Sequence, residues 1–240
     1  MSGMDEIPIS YGKLYGEHAR APFGSAAPYP HLVIDGLFDD KDLDTIRKEF
    51  PPEADSVWKR NHHSHSRKQA LEDKSLMGPV SQAYFTAVAS PAFVQALEQI
   101  TGIPDLVPDP YLAGGGYHLT LPGGYLDVHA DFPTHPHLPL RRRLNLITYI
   151  GRDWEQGDGG VFEMWTRDGS EAVQRVEPVF NRSPIFLVSA EGYHGHPVPL
   201  RRHRRPSLAV FYYTRDTSAS ARPAQPATDY LEHRPADRHA

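Results

Sequence analysis

Apolar positions along this chain recur at two different spacings, and the change falls near Pro104. Upstream, Leu43, Ile46 and Phe50 lie three and four residues apart, which places them on one helix face. Asp39 or Asp40 offers an N-cap for that helix, and Pro51-Pro52 stops it. Two further helices are expected over about 76–89 and 91–101, the second with Ser90 as cap, Pro91 in its first turn and Gly102 at its end. His31 to Asp35 reads as a short strand followed by a turn at Gly36. Residues 1–28 carry no period and are rich in Pro, Gly and Ala, so an irregular arm is expected there. The polar stretch Asn61 to Lys68 is expected to be a mobile loop.

Beyond Pro104 the pattern becomes one of short β-rich runs separated by Gly, Pro and Asp turns: 114–121, 125–130, 143–150, 160–165, 173–180, 184–189 and 207–214. Strands at such regular spacing indicate an all-β sandwich or barrel. The chain is therefore read as mainly β with N-terminal helices. An arm and helical part over 1–105 pack on a β core over 106–215, and a tail rich in Ser, Ala, Pro and Arg over 216–240 is ordered only where it docks.

Composition narrows the classes. With 39% hydrophobic and 23% charged residues, the 240-residue chain is an ordinary globular protein. No apolar run approaches the roughly 20 residues needed to span a bilayer, so no membrane partner is expected. The first residues lack a basic and an apolar signal region, which makes the cytoplasm the expected location. Cysteine is absent, which removes disulfides, thiol nucleophiles and thiolate metal sites. A net charge of −5 argues against nucleic acid as a partner. Two basic runs, Arg141-Arg142-Arg143 and Arg201 to Arg205, depart from that average and are expected to be mostly solvated loops, Arg205 excepted.

The candidate chemistry lies in the β half. His129 and Asp131 are two apart at a strand end, so both point to one face and can bind one divalent cation side by side. With 14 histidines in the chain, about one such pair arises by accident, so the pair alone decides little. A second segment adds weight: Tyr193-His194-Gly195-His196 follows the buried-looking strand Ile185 to Val188. Two His and one carboxylate form the facial triad of non-haem iron(II) oxygenases, which leaves open positions on the metal; Zn(II) is not excluded by ligand type. The His-rich loop 61–68 also has metal-binding composition, but nothing near it in sequence supplies further ligands. A third segment, Arg205-Pro206-Ser207, places a guanidinium and a hydroxyl on one strand face, suited to a terminal carboxylate. An arginine inside a barrel is costly without an anionic partner, and a dicarboxylate co-substrate removes that cost.

As a set, His129-x-Asp131, His194 and Arg205-x-Ser207 resemble the signature of 2-oxoglutarate- and Fe(II)-dependent dioxygenases of the prolyl-4-hydroxylase-like type. The likeness extends to Thr148 to Trp154, to Gly159-Gly160 and the run to Trp165, and to Glu177-Pro178 with the strand Ser183 to Ser189. It covers roughly 112–215. The resemblance implies a double-stranded β-helix (jelly-roll) core. It implies Fe(II) held by His129, Asp131 and His194, O2 as oxidant, and 2-oxoglutarate bound through Arg205, with Ser207 assisting and Tyr149 hydrogen-bonding the same carboxylate. Asn145 and His118 are candidate contacts to substrate or co-substrate. His196 is the rival distal ligand, and His194 is preferred because the aromatic-His-Gly order after the strand matches the family. The spacer from His194 to Arg205 is longer than in the animal prolyl hydroxylases, which implies a loop insertion. Retention of Asp131, absent in related halogenases, implies hydroxylation, ring formation or desaturation. A small-molecule substrate is expected first and a peptidyl residue, as in prolyl hydroxylases, second. A metal-binding barrel acting as a sensor and a zinc hydrolase are the rivals from other classes.

Overall fold

The computed structural model describes residues 7–15, 17–216 and 228–231, so most of the expected C-terminal tail and the first residues of the arm lie outside it. In chain order the helices are α1 (Glu17–Ser25), α2 (Asp40–Glu49), α3 (Pro79–Val88) and α4 (Pro91–Thr101). The strands are β1 (His31–Asp35), β2 (Lys59–His63), β3 (Ser66–Leu71), β4 (Val107–Pro108), β5 (Gly116–Thr120), β6 (Leu126–Ala130) and β7 (Leu140–Tyr149). They continue with β8 (Phe162–Trp165), β9 (Ala172–Val176), β10 (Arg182–Leu187), β11 (His194–His196), β12 (Arg205–Arg215) and β13 (Asp229–Tyr230).

All pairings are antiparallel, in the order β1-β10-β7-β12-β5-β3-β6-β11-β8-β9, with β2 on β3, β4 on β12 and β13 on β6. The result is a nearly closed barrel, in line with the strand spacing and with the jelly-roll core that the resemblance implies. One broad wall, β1-β10-β7-β12-β5-β3, is covered outside by the helices. Leu144 and Leu146 of β7, and Leu208, Val210 and Tyr212 of β12, join Leu43, Ile46, Tyr84, Phe93 and Leu97 of the helices in the main core. The alternate residues of the same strands, Asn145 and Ile147, and Arg205, Ser207, Ala209 and Phe211, face the barrel interior.

Local chemistry sets the helix boundaries. The Asp39 side chain accepts from the backbone N–H groups of Lys41 and Asp42 and starts α2. Ser90 caps α4, and Gly102, at φ +69°, ends it in the left-handed conformation. α3 has Gly78 at its N-cap and receives its cap from α2 instead: Glu49 accepts from the N–H groups of Val80 (3.0 Å) and Ser81 (2.8 Å). Polar threads tie helices to wall, with the Tyr84 hydroxyl 2.8 Å from Thr148 and the Tyr212 hydroxyl donating to the Val88 carbonyl at 2.9 Å.

Three expectations are corrected. The arm is not irregular throughout: α1 forms because Ala19 and Phe23, four apart, bury one face even though Pro22 removes a donor within it. Asn61 to Lys68 is not a loop but most of the β2–β3 hairpin, whose polar residues face a cavity or solvent. Arg142 of the basic run is 2% exposed rather than solvated.

Leu97 is fully buried between helices and wall, so Leu97→Ala is expected to cost about 2–5 kcal/mol in urea denaturation with an unchanged slope. Val173→Ala, at a position 44% exposed, should fall within about 0.5 kcal/mol of the native protein.

Candidate metal centre and its cavity

The small wall β6-β11-β8-β9 brings the ligand candidates together. His129 on β6 and His194 on β11 are direct cross-strand partners, so the barrel register sets the imidazoles side by side, their ring centres 4.6 Å apart. Each ring gives its Nδ1 to a backbone carbonyl, His129 to Asp127 and His194 to Gly192, both at 2.8 Å. That fixes the tautomer with Nε2 bare and directed to the same point. Asp131, just past the end of β6, lies 3.6 Å from His129 Nε2 and 3.4 Å from His194 Nε2. One ligand atom from each of the three lies within 4.8 Å of the others. His196 points into the same cavity but stands outside this group, so the geometry brings together His194 and not its rival.

The carboxylate is held from behind. Arg142 reaches Asp131 Oδ2 at 3.2 Å, and Asn145 Nδ2 donates to the same oxygen at 2.7 Å. Arg142 Nε also donates to Asn145 Oδ1 at 2.8 Å, and its guanidinium stacks over the Phe211 ring at 3.3 Å. Burial alone would raise the Asp131 carboxyl, but the Arg142 charge and then the flanking imidazoles hold it well below its usual value. Arg142 was missed in the sequence because strict alternation would turn it away from Asn145. A bulge between Tyr212 and Tyr213 shifts the register by one, pairing Leu144 with Tyr212 but Arg142 with Tyr213.

A second group lies deeper on the broad wall. Ser207 is paired with His118 on one side and Tyr149 on the other, and Arg205 with Thr120. Arg205 donates from Nη2 to the Tyr149 hydroxyl at 2.9 Å and lies 4.7 Å over that ring. Arg205 Nε, Ser207 Oγ and His196 Nδ1 are buried without a hydrogen-bond partner. The Gly159-Gly160 turn makes space for this segment: both residues have positive φ, and a Cβ on Gly159 would sit 2.3 Å from the Pro199 carbonyl oxygen. His118 is fixed by a 2.9 Å bond from Nε2 to the Gly114 carbonyl.

Both groups line one cavity of about 320 Å³. Its far side is the β2–β3 hairpin, with Lys59, Asn61, His63, Ser66 and Lys68. Tyr230 of β13, opposite His129 in the register, borders one edge with its ring 5.5 Å from the imidazole, so the described residues 228–231 dock there. Lys68 and Tyr230 had no sequence signal, since only tertiary pairing brings them to the metal ligands.

Two predictions follow from the charges. Burial pushes His194 down to about 4 and His118 and His196 well below 6.5, the latter two also repelled by Lys68 and Arg205. All three are neutral when folded and protonate near pH ~6.5 when unfolded, so the unfolded chain binds more protons in between. Metal-free protein should therefore lose stability as pH falls from about 6.5 towards 4, read by urea midpoints, and His196→Gln should shallow that slope. Arg142→Met strips the cation from a buried pair and is expected to destabilise metal-free protein by about 3–5 kcal/mol, with part recovered in Arg142→Met/Asp131→Asn.

Comparison with known proteins agrees with this geometry. Residues 115–213 match the model of the 2OG-Fe(II) oxygenase superfamily. The fold is shared with a Pseudomonas putida prolyl-4-hydroxylase at 18% identity and TM-score 0.59, covering 82% of this chain and 98% of the other. A prolyl 4-hydroxylase of Phytophthora capsici is similar at 19% identity and TM-score 0.59, covering 92% and 72%. HygX from Streptomyces hygroscopicus, solved with nickel, 2-oxoglutarate and hygromycin B bound, is similar at 12% identity and TM-score 0.56, covering 90% and 98%. No helix among the described residues is long and apolar enough to cross a membrane. Residues 115–213, the stretch that matches the 2OG-Fe(II) oxygenase superfamily model, thus carry a His-Asp-His group that could hold a metal inside a jelly-roll fold shared with prolyl-4-hydroxylases.

Proposed function

We propose that this protein oxidises an unactivated C–H bond of a small molecule, with His129, Asp131 and His194 holding Fe(II) and Arg205, Ser207 and Tyr149 receiving the distal carboxylate of 2-oxoglutarate. The observation that carries the reading is the pair of orphaned groups: Arg205 Nε and Ser207 Oγ are buried donors without partners in the cavity that holds the triad. Leaving such groups unmatched is costly, and a carboxylate takes both. Tyr149 accepts from Arg205 and so keeps its own proton for the same anion. The triad fits the metal equally well, since two imidazoles whose Nδ1 atoms are engaged by backbone carbonyls, beside an ionised carboxylate, suit Fe(II) and leave further positions open.

Bound there, iron and 2-oxoglutarate supply the oxidising equivalent from O2, with succinate and CO2 as co-products. The chain's own residues do the positioning. Asp127 and Gly192 carbonyls aim the two imidazoles, Arg142 and Asn145 orient the carboxylate, and Phe162, Phe186 and Phe211 surround them with apolar walls. Retention of Asp131 favours hydroxylation, cyclisation or desaturation as the outcome. A cavity of about 320 Å³, at the low end for ligand sites, favours a small substrate over a peptidyl one.

Anaerobic addition of Fe(II) and then 2-oxoglutarate to the metal-free protein should produce a visible charge-transfer band. Asp131→Ala should abolish it, and Arg205→Ala should weaken 2-oxoglutarate by roughly 10- to 100-fold while changing metal affinity little. No band in the native protein sinks the assignment. Equal loss of metal and co-substrate in Arg205→Ala would give that residue another role. Succinate release then separates an oxygenase from a non-catalytic sensor.

A further inference from the structure

The charges lining the cavity do not balance. Among the described residues six ionised side chains face it: the cations Lys59, Lys68, Arg142 and Arg205, and the carboxylates Glu72 and Asp131. Glu72 is matched by Lys59 at 3.5 Å and Asp131 by Arg142 at 3.2 Å. Arg205 is engaged by Tyr149 and, on the reading above, by the co-substrate. The Lys68 ammonium makes no hydrogen bond or ion pair with any of the described residues.

Its placement is built into the hairpin. Ser66, Lys68 and Ala70 alternate along β3, and all three line the cavity. Asn61, directly opposite Lys68 on β2, lines it too. The pairing of Gln69 with Leu119 sets Lys68 beside Thr120, whose partner on β12 is Arg205. Lys68 therefore projects from the hairpin into the space shared by triad and co-substrate site. Burial, then repulsion from Arg205 and Arg142, pulls its ammonium down to about 8, with Asp131 acting against that shift. A divalent cation and a 2-oxoglutarate dianion cancel each other, so loading the site leaves the surplus of positive charge in place. A partly buried lysine held charged beside Arg205 and Arg142, without a counter-charge among the described residues, is unfavourable, and an oxyanion on the substrate removes that cost.

We propose that Lys68 is a specificity-determining residue that binds a carboxylate or phosphate on the substrate, so that the substrate is a small organic acid. The assignment rests on the reading that Arg205 serves 2-oxoglutarate. Lysine suits this role as a compact point charge on a flexible stem, able to reach an anion whose orientation is set elsewhere.

The test uses full-length protein loaded anaerobically with Fe(II) and 2-oxoglutarate, with the charge-transfer band as a control that both are bound. The probes are a series of N-acetyl amino acids, each offered as free carboxylate and as neutral carboxamide, and N-acetyl-O-phosphoserinamide beside N-acetylserinamide. Binding is read by perturbation of the band and by calorimetry. The expected result is that at least one anion binds about tenfold or more tightly than its neutral mate. Lys68→Met should remove the difference and Lys68→Arg should keep it, both leaving 2-oxoglutarate affinity within about threefold of native. A preference shown by the carboxylates alone, or by the phosphate alone, assigns the oxyanion. Anions that bind no better than their neutral mates, or do not bind at all, overturn the proposal. So does a Lys68→Met variant that loses 2-oxoglutarate instead, which would make Lys68 a co-substrate contact. Absence of the band in the native protein is a failure of the underlying oxygenase reading and is seen before any probe is added.

Discussion

Strands β7 and β12 are buried on both faces, and the cavity depends on that. Their outward residues, Leu144, Leu146, Leu208, Val210 and Tyr212, are packed beneath the helices, which anchors the strands independently of anything inside the barrel. The inward residues are thereby free to be polar and poorly matched. Arg205 Nε and Ser207 Oγ can stay unsatisfied because neighbours one residue away bury apolar surface against α2, α3 and α4. A wall packed on one face only would have to make its inner face the core.

Within the cavity, electrostatics divides the labour. Arg142 and Asn145 settle the ionisation and orientation of Asp131, so the carboxylate is set before any metal arrives. Backbone carbonyls do the same for the imidazoles of His129 and His194, and burial keeps the His194 ring neutral. Arg205 meets the Tyr149 hydroxyl but keeps a buried Nε without a partner, and Lys68 has no counter-charge among the described residues. Among the described residues the cavity, bordered by the hairpin and by Tyr230, is lined by more positive than negative charge.

Much of this was legible along the chain. The strands β5 to β10 and β12, the helix caps at Asp39 and Ser90, and the stop at Gly102 follow from period and local chemistry, which act over a few residues. His129 with Asp131, and Arg205 with Ser207, are visible as pairs because a strand puts alternate residues on one face. α1 was not, because its apolar face is two residues wide and interrupted by Pro22, and its order comes from packing on α4. The β2–β3 hairpin was not, because a strand whose faces meet a polar cavity and solvent carries no apolar alternation.

The sequence by itself determined the fold class, the residue types of the triad and the pairing of a guanidinium with a hydroxyl, since each is a matter of short-range spacing. Only the tertiary structure set His194, rather than His196, beside Asp131 and opposite His129, because cross-strand register, not neighbourhood in sequence, sets which imidazole stands there. It alone brought in Arg142, turned inward by a bulge whose cause lies in the pairing with β12. It alone carried Lys68 from a polar hairpin to the rim of the metal centre, a juxtaposition of residues more than sixty positions apart that no local pattern encodes.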